Sequence, residues 1–571
     1  MGSRARNTLV LLVAVAAVAL PAPAARAAQV TQDLRFTASD GVSLHAAVGG
    51  EGSLAPRPLI VEFSPYAPAC CVSYAGPDYN YVQVHIRGTG RSDGGFDTLG
   101  ERTQSDVAEF LEWACAQPWS DGRIGLYGAS ASAIAVYHSL HRELPCVETA
   151  VLWAGTHELY RDLLYAGGVP NVGPAAGVAA LILGMYAGGL PDRLQRDPAS
   201  VPENLNGAVG TVTGYLGHPT IDSYWRERQV RGDANDLPIL MVTGFFDVES
   251  RGPFEAFREL RGDGAHLMVI GAHDGVPAGT GGEAGERRRW YDRHLRGIAN
   301  GIEDEPRVKL WLADGDREDL LAGSFVRADG DDWPIPGTGW EALALGPGGS
   351  LGLDPPEAST TQAYPALPSL PFSTDPHTTA TLFGFGTPEF SGNALANAFP
   401  ALTEMGIVES LGLSFSTEPL REDVLSAGPA SLELRLASTA PETDIYAVLS
   451  DVWPDGSAHP VATGRLRSSF PEIDPARSLT DPETGAIVQP YGRFERKTPA
   501  APGQERLYHV EFWPVGNRFK RGHRLRLHVI GASAYHLPGV PAINTVRVGG
   551  PGGSRLLLPV LPGSDLGAAL P

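Results

Sequence analysis

RIGLYGASASAIAVYHSL, Arg123 to Leu140, is the stretch on which the reading of this chain turns. It divides into a short apolar strand (Ile124 to Tyr127), an abrupt turn of small residues (Gly128 to Ser132) and a helical run of Ala, Ile, Val and Tyr. Strand, turn and helix in that order make a nucleophile elbow, in which a serine is held on a strained turn with its hydroxyl exposed above a sheet. The elbow needs small residues two before and two after the serine, because bulk there collides with the neighbouring strand and helix. Around Ser130 these are Gly128 and Ser132, whereas around Ser132 they would be Ser130 and the β-branched Ile134. Ser130 is therefore the candidate nucleophile, and the N–H groups opening the next helix favour negative charge developing beside it. The last glycine of G-x-S-x-G is Ser132 here, so the pentapeptide alone also fits a plain turn in an Ala-rich α/β protein.

At 571 residues the chain is too long for one core and suits two or three domains. Its 44 basic against 65 acidic residues, a formal charge of −21, argue against nucleic acid and anionic membrane as partners. Residues 1–28 differ from the rest. Arg4 and Arg6 precede an apolar run from Leu9 to Leu20, and Ala25-Arg26-Ala27 closes the segment. This predicts a secretory signal peptide cleaved after Ala27, with an apolar run too short to span a bilayer well. No Cys follows the signal to accept a lipid, and an exported protein without a membrane partner is expected. Export places Cys70, Cys71, Cys115 and Cys146 in an oxidising compartment. The four can pair off in three ways, between which the sequence does not choose; a bridge is expected rather than none, and no Cys or His pair has zinc spacing. Neither a metal nor any other cofactor is expected.

Residues 29–57 alternate around Ser39-Asp40-Gly41 as a hairpin does. Leu59 to Phe63 and Tyr81 to Ile86 are apolar runs suited to a sheet covered on both faces. Gln104 to Ala116 carries Val107, Phe110, Leu111 and Ala114 at helical spacing, and after the elbow comes another strand, Val147 to Trp153. Strand and helix alternate, so residues 29–154 predict the first part of a parallel α/β sheet. The β pattern stops over 155–235, where LYRDLLYAGG, AAGVAALILGMYAGGL and IDSYWRERQV read as the helices of an inserted cap. Val178 to Met185 is apolar all round and should be buried. Over 236–306 the α/β pattern returns, with strands at Leu237 to Gly244 and His266 to Gly271 and a basic, Arg-rich helix near 286–296 that needs no role beyond a solvated or ion-paired face. From 307 to 571 helices give way to period-2 strands such as RVKLWLA, SLELRLAS, LYHVEFWPV and HRLRLHVI, an antiparallel sandwich with long loops over 345–400.

A serine nucleophile needs a base for its proton and a carboxylate to orient that base. In α/β-hydrolases these follow the serine in the order Asp or Glu, then His, on loops just past later strands. After Ser130, LMVTG leads into Phe245-Phe246-Asp247, and LMVIG leads into Ala272-His273. Singly, Asp247 also suits a helix N-cap and His273 a solvated loop; in this order they complete a triad. The oxyanion hole should use the N–H of Ala131 and a donor from the loop after an early strand. That loop is Ser64-Pro65-Tyr66-Ala67-Pro68, without a Gly-rich run, which makes the Tyr66 hydroxyl the candidate.

The blocks SDGVSL, SPY, IRGTGRSDGGF, WACAQPWSDGRIGLYGAS, LPILMVTGFFD, GAH, RWYDRHLRG, DVWPDG, GHRLRL and SRLLLPV, in this order, resemble the cocaine esterase and X-prolyl dipeptidyl-peptidase group of serine hydrolases, which also takes in α-amino acid ester hydrolases. The resemblance spans nearly all of the chain beyond residue 28. It implies an α/β-hydrolase core with an inserted helical cap, followed by an all-β jelly-roll-like sandwich domain. It also implies triad roles for Ser130, Asp247 and His273 and an oxyanion hole from Tyr66 and Ala131. Departures are informative. Ala131 and Ala133 replace the Tyr and second Gly of the usual G-x-S-Y-x-G, and His85 stands at the Asp of D-x-R-G. The Trp often found shortly before the catalytic His is absent. Amino-ester hydrolases carry Glu then Asp two and three places after the triad Asp; here these are Glu249 and Ser250. Half of that ammonium-binding carboxylate cluster is missing.

The expectation is an exported serine hydrolase that cleaves a carboxylic ester, or an amide, through an acyl-enzyme, its partner a small ester or short peptide. An X-prolyl dipeptidyl-peptidase is the alternative, with Glu249 as its one candidate anchor for a substrate N-terminus. An α-amino acid ester hydrolase and a non-catalytic binding protein stand behind both.

Overall fold

The computed structural model describes residues 29–66, 76–232, 234, 236–260, 262, 264–270, 283–321, 324–367, 405, 410–533, 536–537 and 539–571. A hairpin opens it. β1 (Gln29–Thr37) and β2 (Ser43–Glu51) pair antiparallel from Thr37↔Ser43 to Gln29↔Glu51. Gly41 at φ 87° supplies the left-handed residue of the turn at Ser39-Asp40-Gly41. β3 (Arg57–Ser64), β4 (Asn80–His85), β5 (Ser120–Ala129), β6 (Val147–Trp153), β7 (Ile239–Thr243), β8 (Ala265–Ile270) and β9 (Val308–Asp314) complete the sheet. Across it the order is β1-β2-β4-β3-β5-β6-β7-β8-β9, antiparallel as far as β2 against β4 and parallel thereafter.

Both faces of this sheet are covered. α1 (Glu101–Cys115) and α2 (Ala131–Ser139) pack with Leu59, Val61 and Phe63 of β3 in one apolar cluster. Ile60, from between them, joins the opposite cluster with Trp290, Tyr291 and Leu295. This two-sided burial is why β3 and β5 read as continuous apolar runs. Val107, Phe110, Leu111 and Ala114 of α1 are fully buried, as their helical spacing predicts.

β9 departs from the sequence reading. Its alternation predicts a sandwich strand, yet Leu267↔Val308 through Ile270↔Trp311 place it as the last parallel strand of the core, so the sheet runs past residue 306. The alternation survives because Lys309, only 12% exposed, pairs with Glu305 and Glu286 instead of entering an apolar layer.

The described residues of the segment expected to be a cap are mainly helical: one π-helical turn, Tyr160–Leu164, two 3-10 turns, Ala166–Gly168 and Pro198–Ser200, and the helices α3 (Val172–Arg196), α4 (Val201–Gly217) and α5 (Ser223–Arg226). α3 runs through Pro191, a residue expected to break it. α4 was not foreseen: Gly207, Gly210 and Gly214 give it weak intrinsic propensity. Packing holds it instead. A Cβ on Gly207 would stand 2.4 Å from the Phe96 amide nitrogen, and Asn204, Ala208, Thr211 and Tyr215 are buried. The burial expected throughout Val178 to Met185 fails at Leu183, which is 47% exposed. Among the described residues, no helix is long and apolar enough to cross a membrane. α6 (Arg251–Glu259) and α7 (Glu283–Arg296) complete the core helices. The arginines of α7 are held on the protein itself: Arg289 by Glu286 and Glu305, Arg296 by Asp292 and Asp78, Arg293 by Glu303, and Arg287 over the Tyr127 ring.

The remainder is all-β. β10 (Phe325–Gly330) pairs antiparallel with β9. Then come β11 (Gly339–Leu345), β12 (Leu351–Gly352), β13 (Thr360–Ala366), β14 (Leu413–Ser416), β15 (Val424–Ser438), β16 (Asp444–Val452), β17 (Ala458–Arg467), β18 (Leu479–Thr480), β19 (Ile487–Gln489), β20 (Arg506–Phe519), β21 (Arg524–Ile530), β22 (Ala542–Val548) and β23 (Arg555–Val560). One set of strands runs β11-β23-β15-β20, with β22 and β13 beyond β15; the other runs β14-β21-β16-β17. β12 and β13 fall within the stretch expected to be loops. β21 buries Leu525, Leu527 and Val529 as its alternation predicts, but His528 is buried too, bonded to Ser414 Oγ at 3.1 Å.

Candidate active site

Ser130 closes β5 and opens α2 at φ 53°, ψ −122°, a conformation that is strained for any residue but glycine. Three contacts enforce it. Its N–H donates to the Trp153 carbonyl at 2.9 Å, and its carbonyl accepts the first helical bond from the Ile134 N–H at 2.9 Å. A Cβ on Gly128 would lie 2.5 Å from the Ala133 amide nitrogen, so only glycine lets the helix turn back over the strand. This is the steric requirement that selected Ser130 over Ser132 in the sequence.

Tyr66, just past β3, brings its hydroxyl to the mouth of α2. The Ala131 N–H donates to Tyr66 Oη at 3.1 Å, and the phenol also hydrogen-bonds the Ser130 side chain. Burial pushes the Tyr66 phenol up to about 12, the negative charge of Glu249 adds to this, and the bonds to Ser130 and Ala131 oppose it. The group is thus a neutral donor through the physiological range. A helix N-terminal N–H and a phenol thus meet beside the Ser130 side chain, the two kinds of donor that an oxyanion hole uses.

The loop after β7 carries the acids. Asp247 is fully buried, and its Oδ1 accepts the Glu249 N–H at 2.8 Å while its carbonyl accepts the Ser250 N–H at 3.1 Å. It does not cap α6, whose N-cap is Ser250. Glu249 points at Ser130. One carboxylate oxygen lies 3.4 Å from Ser130 Oγ, and the other accepts the Gly155 N–H at 2.9 Å, with the side chain buried. His273 lies outside the described residues, as do Cys70 and Cys71.

Glu62 was not foreseen. From the middle of β3 it accepts from Ser132 Oγ at 3.0 Å and from Gln83 Nε2 at 3.2 Å, pinning the first turn of α2 beneath Ser130. A glutamate inside the apolar run Leu59-Ile-Val-Glu-Phe63 was the signal in the sequence. His85, standing where the family has Asp, accepts the Arg91 N–H at 3.0 Å and packs its ring, tilted by 43°, 4.8 Å from that of His45, a structural role in the RGTGRSDG turn. Among the described residues, no cluster of three or more His, Cys, Asp or Glu is placed to hold a metal ion.

Two family models match the chain in succession. Residues 40–274 match the X-Pro dipeptidyl-peptidase (S15 family), and residues 300–546 match the X-Pro dipeptidyl-peptidase C-terminal non-catalytic domain. The chain is a serine hydrolase of the S15 family. It is similar to the cocaine esterase of a Rhodococcus species, 22% identical over 489 residues that cover 76% of this chain and 82% of that one. A solved CocE/NonD family hydrolase from Staphylococcus aureus shares the fold at a TM-score of 0.74, with 19% identity and coverage of 93% of this chain and 94% of its own. An aminopeptidase from a marine sediment archaeon of the Thaumarchaeota superposes at a TM-score of 0.74, with 16% identity and coverage of 96% and 99%. As an S15 hydrolase the chain has an α/β-hydrolase core and an all-β C-terminal domain, and the reading as a non-catalytic binding protein is set aside.

Proposed function

We propose that this S15 hydrolase is an exported enzyme that cleaves carboxylic esters through an acyl-enzyme on Ser130. The observation that carries the reading is the elbow itself: Ser130 held at φ 53° with the Tyr66 hydroxyl 3.1 Å from the Ala131 N–H. Ser130 Oγ attacks the ester carbonyl as His273 takes its proton; the tetrahedral oxyanion is met by the Tyr66 O–H and the Ala131 N–H; His273 returns the proton to the departing alkoxide. Asp247, buried on the loop after β7, fixes the imidazole tautomer. Water then repeats the sequence on the acyl-enzyme. Export rests on residues 1–28, and the mass of the secreted protein should begin at Ala28.

The first experiment is fluorophosphonate labelling of wild type and Ser130→Ala, with p-nitrophenyl ester and Ala-Pro-nitroanilide hydrolysis followed in the same samples. Labelling and turnover should vanish together in the variant. A wild type that is not labelled sinks the nucleophile assignment.

A second reading, release of N-terminal dipeptides, is favoured by Glu249. A buried carboxylate 3.4 Å from the nucleophile opposes an incoming oxyanion unless the substrate brings a cation to meet it. A peptide N-terminus is such a cation, and the archaeal relative is named an aminopeptidase. On this reading Ala-Pro-nitroanilide outpaces the nitrophenyl ester, and Glu249→Gln abolishes that preference while ester turnover persists. Preference for the ester in the wild type, unmoved by Glu249→Gln, excludes it.

A further inference from the structure

β20 of the C-terminal domain touches the acid-bearing loop of the core on both sides. Upstream of Asp247, the Phe245 ring packs directly against Gly516, where a Cβ would stand 2.3 Å from the ring. Downstream, Arg251 at the start of α6 donates from Nε to Glu511 of β20 at 2.9 Å and from Nη1 to Asp162 of the cap at 2.6 Å. The Arg251 side chain is 2% exposed and Asp162 is 0% exposed, so the guanidinium is desolvated and held by both domains at once. Gln489 of β19 extends the contact by donating to Glu511 at 3.1 Å and to Glu255 of α6 at 2.7 Å. A third side is closed by the core itself, since a Cβ on Gly252 would meet the Gly155 carbonyl oxygen at 2.3 Å.

The loop between these anchors is a single compact turn. The Asp247 N–H donates to Gly244 at 3.3 Å, and the Ser250 and Gly252 N–H groups donate to Asp247 and Glu249 at 3.1 and 3.0 Å. A turn bonded this way moves as a unit, so fixing Phe245 and Arg251 fixes the carboxyl groups of Asp247 and Glu249 between them. We propose that Arg251 is a positioning residue for the triad acid, through which Glu511 of the β domain and Asp162 of the cap hold the Asp247 loop in its working place. The domain whose family model is described as non-catalytic thereby acts on the chemistry through one guanidinium. This rests on the reading of Asp247 as the triad acid.

The test compares full-length Arg251→Met, Arg251→Lys and Glu511→Gln with Arg467→Met, which breaks a buried ion pair to Asp444 (2.8 Å) elsewhere in the β domain. kcat and KM for a nitrophenyl ester and the fluorophosphonate labelling rate are referred to folded protein measured by near-ultraviolet circular dichroism. Displacement of a catalytic group by an ångström or so is expected to lower kcat and labelling by roughly 10- to 100-fold in Arg251→Met, with KM within about twofold. Arg251→Lys should recover part of this, Glu511→Gln should fall between, and Arg467→Met should lose thermal stability alone. Arg251→Met and Glu511→Gln with kcat within about twofold of wild type overturn the proposal, as does an equal loss in Arg467→Met. Should Arg251→Met not fold, Glu511→Gln, which keeps the guanidinium and its bond to Asp162, decides alone. Full activity in Asp247→Asn would instead overturn the acid assignment, and an unlabelled wild type the nucleophile.

Discussion

The Tyr66 hydroxyl accepts the Ala131 N–H at rest, and in the proposed mechanism it donates to the oxyanion during turnover. Removing that hydroxyl in Tyr66→Phe should cost about 3 kcal/mol in the barrier, roughly a hundredfold in kcat/KM for a nitrophenyl ester. A loss under about threefold would show that the phenol is not a donor to the transition state. Since burial and Glu249 hold its pKa near 12, activity should not fall as pH is raised through 10 on account of this group. At the scale of the residue, the geometry around Ser130 and Tyr66 is legible in the sequence. Ser130 was chosen over Ser132 on side-chain bulk alone, and the positive φ and the close approach at Gly128 are the physical form of that argument. The aim of Glu249 was not legible, because it depends on Gly155 coming across from the loop after β6 to bind the same carboxylate. Glu62 was hidden for a similar reason: a carboxylate in a strand becomes intelligible only when Ser132 and Gln83 are seen to converge on it.

Among the elements, the end of α1 is fastened to the approach of β6 by the Cys115–Cys146 disulfide, which joins positions 31 apart in the sequence with Cα atoms 6.2 Å apart. The loop it closes contains the whole elbow. By the chain-entropy estimate, opening a loop of this length destabilises the fold by about 3 to 4 kcal/mol. Cys115→Ser with Cys146→Ser should therefore lower the thermal midpoint by several degrees, and reductant should do the same to the wild type but leave the double variant unmoved. A wild type whose midpoint is indifferent to reductant would sink this. Four cysteines allowed three pairings on paper, and sequence spacing could not choose, since the pairing depends on how α1 packs beside β5. α4 escaped notice for a related reason: its glycines argue against a helix, and what holds it is the groove offered by Gly95 and Phe96, more than a hundred residues earlier in the chain. Elements whose stability is intrinsic, such as α1 with its apolar stripe, were read from the sequence. Those stabilised by contact alone were not.

For the molecule as a whole, acid should be the weak side. His45, His85 and His266 are each 5–7% exposed, and burial, first among the causes, holds each pKa down to about 4, with Arg91, His45 and Lys309 respectively the next contributors. The unfolded chain takes up protons on these rings below about 6.5 while the folded chain refuses them until about 4, so stability is lost as pH falls through that window. Glu255 works lower: its folded pKa near 2 gives stability that is present above 4.5 and lost toward 2. The urea midpoint should decline steeply from pH 6.5 to 4, and His45→Asn with His85→Asn should flatten part of that slope; an unchanged slope would show that these rings do not govern it. The architecture at this scale was largely legible from alternation of strand and helix followed by strands alone. The boundary was not, because β9 obeys the β pattern of one domain and the pairing of the other.

That shared strand bears on how such enzymes can be engineered. β9 bonds in parallel to β8 of the core and, over Asn517↔Ala313 and Arg518↔Asp314, to β20 of the following domain, while Phe245 and Arg251 lean on β20 from the core side. A gene cut near codon 299, at the seam between the two family models, should yield not a minimal hydrolase but an insoluble product with an open sheet edge and a stranded buried cation. Calorimetry on the intact enzyme should register one cooperative transition rather than two. Recombination between relatives is then expected to succeed only when the acid loop and β20 are inherited from the same parent.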